Sequence, residues 1–214
     1  MTKIKFCGLS APADIEAANA IRPEFIGFVF APGSRRYVTP GRACALKMAL
    51  DPKIRTVGVF VNEAEETIVR LAREGTIDVI QLHGKEDDSC VRRLQQRTGK
   101  QVIRAFRVST EEDVREAEES PADCILLDSG AGTGCAFDWG LLKSARRPYF
   151  LAGGLTPENA GEAVRLLRPY AVDVSSGIES GGKKDRLKME AFAAAVRSVQ
   201  TVRVRQDAGT EATG

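Results

Sequence analysis

Short apolar segments alternate with longer segments whose apolar residues recur at helical spacing, and no other feature of this chain constrains its fold as much. The apolar segments are predicted strands at Ile4–Cys7, Phe25–Phe30, Thr56–Val61, Val79–Leu82, Val102–Arg107, Cys124–Asp128, Tyr149–Ala152 and Val172–Ser175. The segments that follow them are predicted helices at Pro12–Ile21, Pro40–Ala49, Glu63–Glu74, Asp87–Thr98, Thr110–Glu118, Asp138–Ser144, Pro157–Leu167 and Lys188–Val199. Eight such units in about 200 residues predict an α/β fold, a (β/α)₈ TIM barrel in a single domain.

The main alternative fold is a doubly wound open sheet, which usually has fewer units and a glycine fingerprint for dinucleotides after its first strand. The residues that follow the first predicted strand, GLSAP, do not match that fingerprint. We therefore predict a barrel domain over residues 1–200. The remaining residues, TVRVRQDAGTEATG, lose the apolar periodicity and predict a disordered tail at 201–214.

Composition and charge exclude several classes of partner. With 43% hydrophobic and 28% charged residues, the 214-residue chain has the composition of a soluble globular protein. No apolar stretch approaches the roughly 18 residues of a membrane span, and the N-terminus lacks a secretory pattern, so we expect a cytoplasmic protein without a membrane partner. The 31 basic and 29 acidic residues give a net charge of +2, which argues against nucleic-acid binding. We expect a monomer or homodimer that binds a small molecule.

The cysteines and the histidine argue against disulfides and metal sites. Five cysteines are widely and irregularly spaced without a C-x-x-C pair: Cys7, Cys44, Cys90, Cys124 and Cys135. The single histidine, His83, excludes a metal site built from several histidines. The residues Cys44, Cys90 and Cys124 fall inside predicted helices or strands, and we expect them to be packed.

Polar residues stand where the predicted strands end. Active sites of (β/α)₈ barrels lie at the carboxyl ends of the strands, in the loops that lead to the helices. In this chain those positions carry Cys7, Asn62, His83, Arg107 and Asp128. Packing alone does not require thiol, imidazole and carboxylate groups at one end of otherwise apolar strands, so this end is the predicted site.

Two glycine-containing loops predict a phosphate site. Gly153 and Gly154 follow the seventh strand in LAGGLTPEN, and Ser175, Ser176 and Gly177 follow the eighth in VDVSSGIESGGKKD. Glycines let backbone N–H groups approach an anion closely, and the loops after strands seven and eight recurrently bind phosphate in this fold. Each loop alone is equally consistent with a tight turn. Their occurrence in two successive units favours phosphate.

The motifs KFCGL, GFVFAPGSRRYV, VGVFVNE, QLHGKE, LLD with GTGCAFDW, LAGGLTPENA and AVDVSSGIES with GKKD occur in the order typical of phosphoribosylanthranilate isomerases. The chain resembles this family from about Lys3 to about Gln200. The resemblance implies a (β/α)₈ barrel in tryptophan biosynthesis. It also implies an Amadori rearrangement of N-(5′-phosphoribosyl)anthranilate, with no metal or organic cofactor.

The resemblance implies that Cys7 is the general base and Asp128 the general acid. Ring opening needs an acid at the ribose ring oxygen, and a base must then remove the proton from C2′. A free thiol has a pKa of ~8.5, so the base role requires a local stabilisation of the thiolate. From the residues alone, Cys7 is also consistent with a small buried apolar residue and Asp128 with a loop cap.

Other residues are predicted to bind the substrate. Arg36 has the charge and the forked geometry to hold the anthranilate carboxylate, whereas Arg35 is expected to be a solvated surface charge. His83 is consistent with a hydrogen bond to the substrate and equally with a structural role at the rim. Asp173 precedes the second glycine loop and is predicted to orient it.

The loop after Asp128 departs from the family pattern. Ala131 and Cys135 stand where a glycine and often a lysine are expected, so no substrate contact is assigned to that lysine. Asp138 and Trp139 are predicted to cap and anchor the following helix.

Three other functions are weighed against this one. A related phosphoribosyl isomerase of histidine biosynthesis would have an aspartate in place of Cys7. A metal-dependent sugar-phosphate epimerase would need more than one histidine. A non-catalytic barrel that binds phosphosugars would keep the glycine loops, but the presence of both Cys7 and Asp128 argues against it.

Overall fold

The computed structural model describes residues 1–128 and 139–210, with side chains as far as residue 199. Its strands are β1 (Lys3–Cys7), β2 (Phe25–Val29), β3 (Arg55–Phe60), β4 (Val79–Leu82), β5 (Gln101–Arg107), β6 (Cys124–Asp128), β7 (Tyr149–Ala152), β8 (Ala171–Val174), β9 (Glu179–Ser180) and β10 (Lys183–Lys184). Its α-helices are α1 (Pro12–Ile21), α2 (Pro40–Met48), α3 (Glu65–Arg73), α4 (Asp88–Thr98), α5 (Glu111–Glu119), α6 (Pro157–Leu167) and α7 (Arg186–Thr210). Two 3₁₀ helices span Trp139–Ser144 and Ser176–Ile178.

Strands β1 to β8 form a closed parallel barrel in the order of the sequence. The barrel closes where β1 pairs with β8, with Lys5 opposite Asp173. The prediction of a (β/α)₈ TIM barrel is confirmed. In the described part of the sixth unit, the 3₁₀ helix Trp139–Ser144 occupies the place of the predicted helix.

The strands are apolar on both faces because each face is covered. Successive strand residues point to opposite faces, so alternate residues enter the barrel. The inward residues of six strands form one cluster that fills the interior: Phe25, Val57, Val79, Ile103, Leu126 and Phe150. The outward residues pack with the helices in a larger cluster. The filled interior forms a floor beneath the carboxyl ends of the strands.

Local capping explains why several helices start where the sequence predicts. Thr39 accepts a hydrogen bond from the backbone N–H of Arg42, at 3.2 Å, and Asp87 accepts one from Cys90, at 2.8 Å. Such side chains satisfy donors that the first helical turn leaves unpaired. Among the helices described, none is long and apolar enough to cross a lipid bilayer.

Two predictions about local structure need correction. Cys44 is exposed, not packed, because α2 buries its neighbours Ala43 and Leu46 on the face that meets the barrel. Helix α7 continues to Thr210, whereas the sequence predicted its end at Val199. No proline follows Val199, so no residue in this segment breaks the helix. The interpretations of Ala131, Cys135 and Asp138 lie outside the described residues.

Candidate active site

A cavity of about 900 Å³ opens at the carboxyl end of the barrel. Every predicted site residue except Gly177 lines it: Cys7, Arg36, His83, Asp128, Gly153, Gly154, Asp173, Ser175 and Ser176. A second cavity of about 530 Å³ lies at the amino end, beside Met1 and Tyr149. The thiol and the carboxylates of the predicted site therefore belong to one cavity, the one where the fold is expected to carry chemistry.

Cys7 lies at the end of β1 with 9% of its surface exposed. The next residue, Gly8, has a φ of 77°, and a Cβ atom there would stand 2.4 Å from Cδ of Arg36. Only a glycine accepts both this backbone conformation and the arginine packed upon it. The pair Cys7-Gly8 thus places a thiol in the cavity and lets Arg36 lie over it.

Beneath Cys7, a buried ion pair crosses the seam of the barrel. Nζ of Lys5 lies 2.9 and 3.0 Å from the two carboxylate oxygens of Asp173, and the exposed fractions are 0% and 8%. Gly27 on β2 makes room for this arrangement, since a Cβ atom there would stand 2.9 Å from Sγ of Cys7 and 3.2 Å from Nζ of Lys5. Asp173 thus binds Lys5 with both oxygens, a contact that sequence analysis missed.

Opposing effects act on the ionisation of the thiol. Burial raises the pKa of Cys7, and the negative charge of Asp173 adds to this, while the positive charges of Lys5 and Lys184 lower it. The net result is a thiol pKa above its ordinary value. Burial lowers the pKa of Lys5, but the charges of Asp173 and Cys7 and hydrogen bonding outweigh burial, so this pKa lies above its ordinary value. The ammonium group of Lys5 is therefore charged beside the thiol.

Glu179 holds three cationic side chains at the edge of the cavity. Its oxygens lie 2.6 Å from Nε and 2.9 Å from Nη2 of Arg36, 2.7 Å from Nζ of Lys184 and 2.9 Å from Nη2 of Arg35. Burial raises the pKa of Glu179, but the hydrogen bonds from Arg36 and Lys184 and their charges lower it to about 2. The bidentate contact fixes the plane of the Arg36 guanidinium.

A hairpin with a two-residue turn after β8 places Glu179 opposite Lys184. Strands β9 and β10 are antiparallel, with Lys184 opposite Glu179, and Gly181 and Gly182 between them both have positive φ. Nζ of Lys184 also donates to the carbonyl oxygen of Ser175, at 2.8 Å. The segment ESGGKK carries a hairpin signal, two glycines between short strands, that would have predicted this pairing.

His83 lies beside Asp128 on the other side of the cavity. Nδ1 of His83 is 3.1 Å from Nε2 of Gln81. An amide nitrogen donates, so this contact suits the tautomer in which Nδ1 accepts and Nε2 carries the proton. That Nε2 lies 3.6 Å from Oδ2 of Asp128. Gln81 is 1% exposed, and its Oε1 has no hydrogen-bond partner among the described residues.

The two glycine loops pack against each other. Gly153 and Gly154 have φ values of 92° and 59°. A Cβ atom at Gly177 would stand 1.9 Å from the carbonyl oxygen of Leu155, so Gly177 is required by the contact between the loops. Gly177 does not line the cavity, whereas Ser175 and Ser176 do. The contact with Leu155 accounts for a glycine at position 177 without a ligand, and phosphate binding stays a prediction for the loop residues that line the cavity.

Comparison with known proteins agrees with this geometry. The model of the N-(5′-phosphoribosyl)anthranilate isomerase family matches residues 4–195. The chain belongs to this family. An N-(5′-phosphoribosyl)anthranilate isomerase from Endomicrobium trichonymphae is 44% identical over 194 residues, which are 88% of this chain and 95% of the relative. One from Caldanaerobacter subterraneus is 43% identical, over 93% of this chain and 100% of the relative.

Solved structures of the family have the same barrel. The phosphoribosylanthranilate isomerase of Thermotoga maritima is 36% identical, with a TM-score of 0.83 and coverage of 92% of this chain and 100% of that chain. Another structure, 36% identical with a TM-score of 0.81 and the same coverage, is a complex with reduced 1-(o-carboxyphenylamino)-1-deoxyribulose 5-phosphate. The predicted family, and with it an isomerase of tryptophan biosynthesis, is confirmed.

The isomerase cavity also has an apolar side that sequence analysis did not assign. Four apolar residues from β2, β3 and the loops that follow them line the cavity near Arg36: Val29, Ala31, Val59 and Val61. Val61 is 43% exposed although it is apolar. Among the described residues, no group of three or more histidines, cysteines and carboxylates is placed to hold a metal ion.

Proposed function

We propose that this isomerase converts N-(5′-phosphoribosyl)anthranilate into 1-(2-carboxyphenylamino)-1-deoxyribulose 5-phosphate, in the cytoplasm, as a monomer or homodimer and without a cofactor. The observation that carries the proposal is that Cys7 and Asp128 line one cavity in a chain of this family. In the strand order β6, β7, β8, β1, the glycine loops lie between the acid and the base. A phosphate on these loops brings its sugar within reach of both.

The reaction needs one proton donor and one proton acceptor. Asp128 donates a proton to the ribose ring oxygen, the C1′–O bond breaks, and a protonated Schiff base forms between C1′ and the anthranilate nitrogen. The Cys7 thiolate then removes the proton from C2′, and the electron pair moves to the cationic nitrogen to give an enolamine. Protonation at C1′ and loss of the hydroxyl proton give the ketone. The His83 ring faces Asp128, with Nε2 3.6 Å from Oδ2, and is suited to orient its carboxyl group.

The rest of the cavity is divided among the parts of the substrate. Backbone N–H groups of the loops at Gly153, Gly154 and Ser176 are assigned to the phosphate. Arg36 follows β2, which lies on the other side of β1 from the glycine loops. We assign it to the anthranilate carboxylate, because Glu179 already orients its guanidinium group. The apolar residues of β2 and β3 beside it suit the aromatic ring. A cavity of about 900 Å³ has room for all three parts.

The loss of phosphoribosylanthranilate fluorescence on adding purified protein tests this function. We expect turnover with the wild-type protein and a large loss with Cys7→Ser at an equal concentration of folded protein. A parallel assay offers the phosphoribosyl carboxamide substrate of histidine biosynthesis, for which we expect no turnover. Turnover of the carboxamide alone, or binding of phosphoribosylanthranilate without turnover, would overturn the proposal.

A further inference from the structure

We propose that Lys5 is a positioning residue for this isomerase: its buried ammonium group is the counter-charge of the Cys7 thiolate, and Asp173 holds that ammonium group in place. The inference rests on the base role proposed for Cys7. Lys5 and Cys7 are two residues apart on β1, so both side chains point into the barrel. Lys5 lies one layer below the thiol, where the substrate does not reach it.

The sulfur of Cys7 and the ammonium group of Lys5 both lie next to Gly27 of β2. A Cβ atom on Gly27 would stand 2.9 Å from Sγ of Cys7 and 3.2 Å from Nζ of Lys5. Because both atoms lie against the same side of Gly27, the sulfur and the ammonium nitrogen are no more than about 6 Å apart. A side chain at position 27 would displace one or both.

The burial of Lys5 needs a chemical reason. The side chain is fully buried, and an unpaired ammonium group at that depth is strongly unfavourable. Asp173 accepts two hydrogen bonds from Nζ, at 2.9 and 3.0 Å, which leaves one of the three N–H donors of Lys5. A residue that only filled space here would be apolar. Two ionisable neighbours of this charge line the cavity, Asp173 and Cys7, and the donor that Asp173 leaves unused is available to Cys7.

Four charged groups face Cys7 from the surrounding elements: Lys5 on β1, Asp173 on β8, Lys184 on β10 and Arg36 after β2. Arg36 donates to Glu179, and Lys184 donates to Glu179 and to the carbonyl oxygen of Ser175, so the hydrogen bonds of both cations go to groups other than the thiol. Lys5 has the largest thiolate-stabilising effect on Cys7. It is the group whose removal most directly disfavours the thiolate.

Alkylation of Cys7 by iodoacetamide across a pH series, resolved by peptide mass spectrometry, tests the proposal without substrate. Only the thiolate reacts, so the pH of half-maximal rate reports its formation. We expect Lys5→Met to move this midpoint to higher pH by about 1 unit or more, a roughly tenfold slower alkylation at any lower pH. The acid limb of the kcat/KM profile should move in the same direction.

A double variant separates this effect from damage to the fold. Lys5→Met alone leaves Asp173 buried without its partner, so this variant can lose stability. Lys5→Met combined with Asp173→Leu replaces the whole pair by apolar groups. It should also show a midpoint above that of the wild type, because Lys5 lowers the thiol pKa more strongly than Asp173 raises it. The matched control is Lys47→Met, which breaks the Lys47–Asp78 pair in another part of the fold and should leave the midpoint unchanged.

Two results would overturn the proposal: an unchanged Cys7 midpoint in a folded variant without Lys5, or an equal shift in Lys47→Met. Folding is checked by circular dichroism at each pH. The proposed function fails separately, if the wild-type protein shows no isomerisation. The alkylation midpoints decide the counter-charge role in either case, because they require no substrate.

Discussion

The proposed acid and base come from distant strands and meet in one cavity, Cys7 from β1 and Asp128 from β6. Cys7→Ser raises the side-chain pKa far above neutrality, and Asp128→Asn removes the proton to be donated. We expect either change to lower kcat by ~10²- to 10⁴-fold, the usual effect of losing one acid or base. Steady-state kinetics measure this, and binding of a product analogue should be largely kept.

Two outcomes would contradict this acid–base assignment. Near-normal turnover by Cys7→Ser across the pH range would mean that the cysteine only packs, and His83 would be the next base to test. If either variant lost binding of the product analogue with an unchanged kcat, the substituted residue would bind the substrate and would not be the acid or base. The effects of the two substitutions need not multiply, because ring opening and C2′ deprotonation are sequential steps and the slower one hides the other.

The two neighbouring arginines are expected to behave differently. Arg36→Lys keeps the charge but loses the fork that binds Glu179 through two atoms. Binding of an anthranilate-type product analogue, measured by calorimetry, should weaken roughly tenfold, about 1.4 kcal/mol. Arg35 is 61% exposed in its side chain, so Arg35→Lys should change binding little. Equal losses at both positions would refute the assignment of Arg36 to the carboxylate.

At the scale of elements, the loop after β7 and the loop after β8 use glycine for different reasons. Gly154 has a φ of 59° and lines the cavity, so Gly154→Ala strains the loop and tilts its N–H groups. We expect KM to rise roughly tenfold with a smaller fall in kcat, because the phosphate is remote from the bonds that change. Steady-state kinetics with a phosphate-bearing substrate check this.

Gly99→Ala is the matched control for the glycine prediction. Gly99 has a φ of 63° at the end of α4, and no atom lies within 4 Å of an added Cβ. Gly99→Ala should lower the free energy of unfolding by a similar amount, about 1 kcal/mol, and leave KM unchanged. Gly177→Ala should be less stable than both, because its Cβ would meet the Leu155 carbonyl. If Gly154→Ala instead lowered kcat strongly with an unchanged KM, the assignment of the phosphate to the loop after β7 would be wrong.

At the scale of the whole molecule, α7 packs on the outer face of the barrel beside β1, between α6 and α1. Met189, Phe192 and Val196 are each 0% exposed, and the Phe192 ring packs edge-on against Phe6 of β1, with centroids 6.3 Å apart. We expect Phe192→Ala to lower the free energy of unfolding by about 3–5 kcal/mol. Chemical denaturation measures this change.

A truncated chain is the comparison for Phe192→Ala. We propose that the barrel domain ends near residue 200, so a chain that stops after Gln200 should keep its activity and melt within about 2 °C of the full chain. A larger loss on truncation than with Phe192→Ala would mean that residues 201–214 belong to the folded domain.

The carboxylate of Glu179 makes stability depend on pH in a defined window. Its folded-state pKa is about 2, below the ordinary value of 4.5, so its contribution is complete above pH 4.5 and is lost as the pH falls toward 2. Between these limits, the free energy of unfolding should fall more steeply in the wild type than in Glu179→Gln. Parallel slopes in urea titrations at several pH values would contradict the ion-pair network.

Features that depend on local spacing were predictable from the sequence. The number of strand–helix units follows from apolar periodicity, and the positions of Cys7 and Asp128 at strand ends follow from the strand boundaries. Parallel strands of a closed barrel bring all carboxyl ends to one rim, so the sequence also predicted that these groups share a cavity. Cys44 shows the limit of this reasoning, because a residue inside a helix is packed only if it lies on the buried face.

The charges around the thiol were decided by the tertiary structure. The Lys5–Asp173 pair joins residues 168 positions apart, and it exists because closure of the barrel sets β1 beside β8 in one register. The contact of Arg36 with Glu179 likewise depends on the hairpin after β8 folding back over the rim. By itself, the sequence determined which groups stand at the barrel mouth, because strand ends are local. Closure and register decided which charges face the thiol, because these contacts join residues that no local pattern relates.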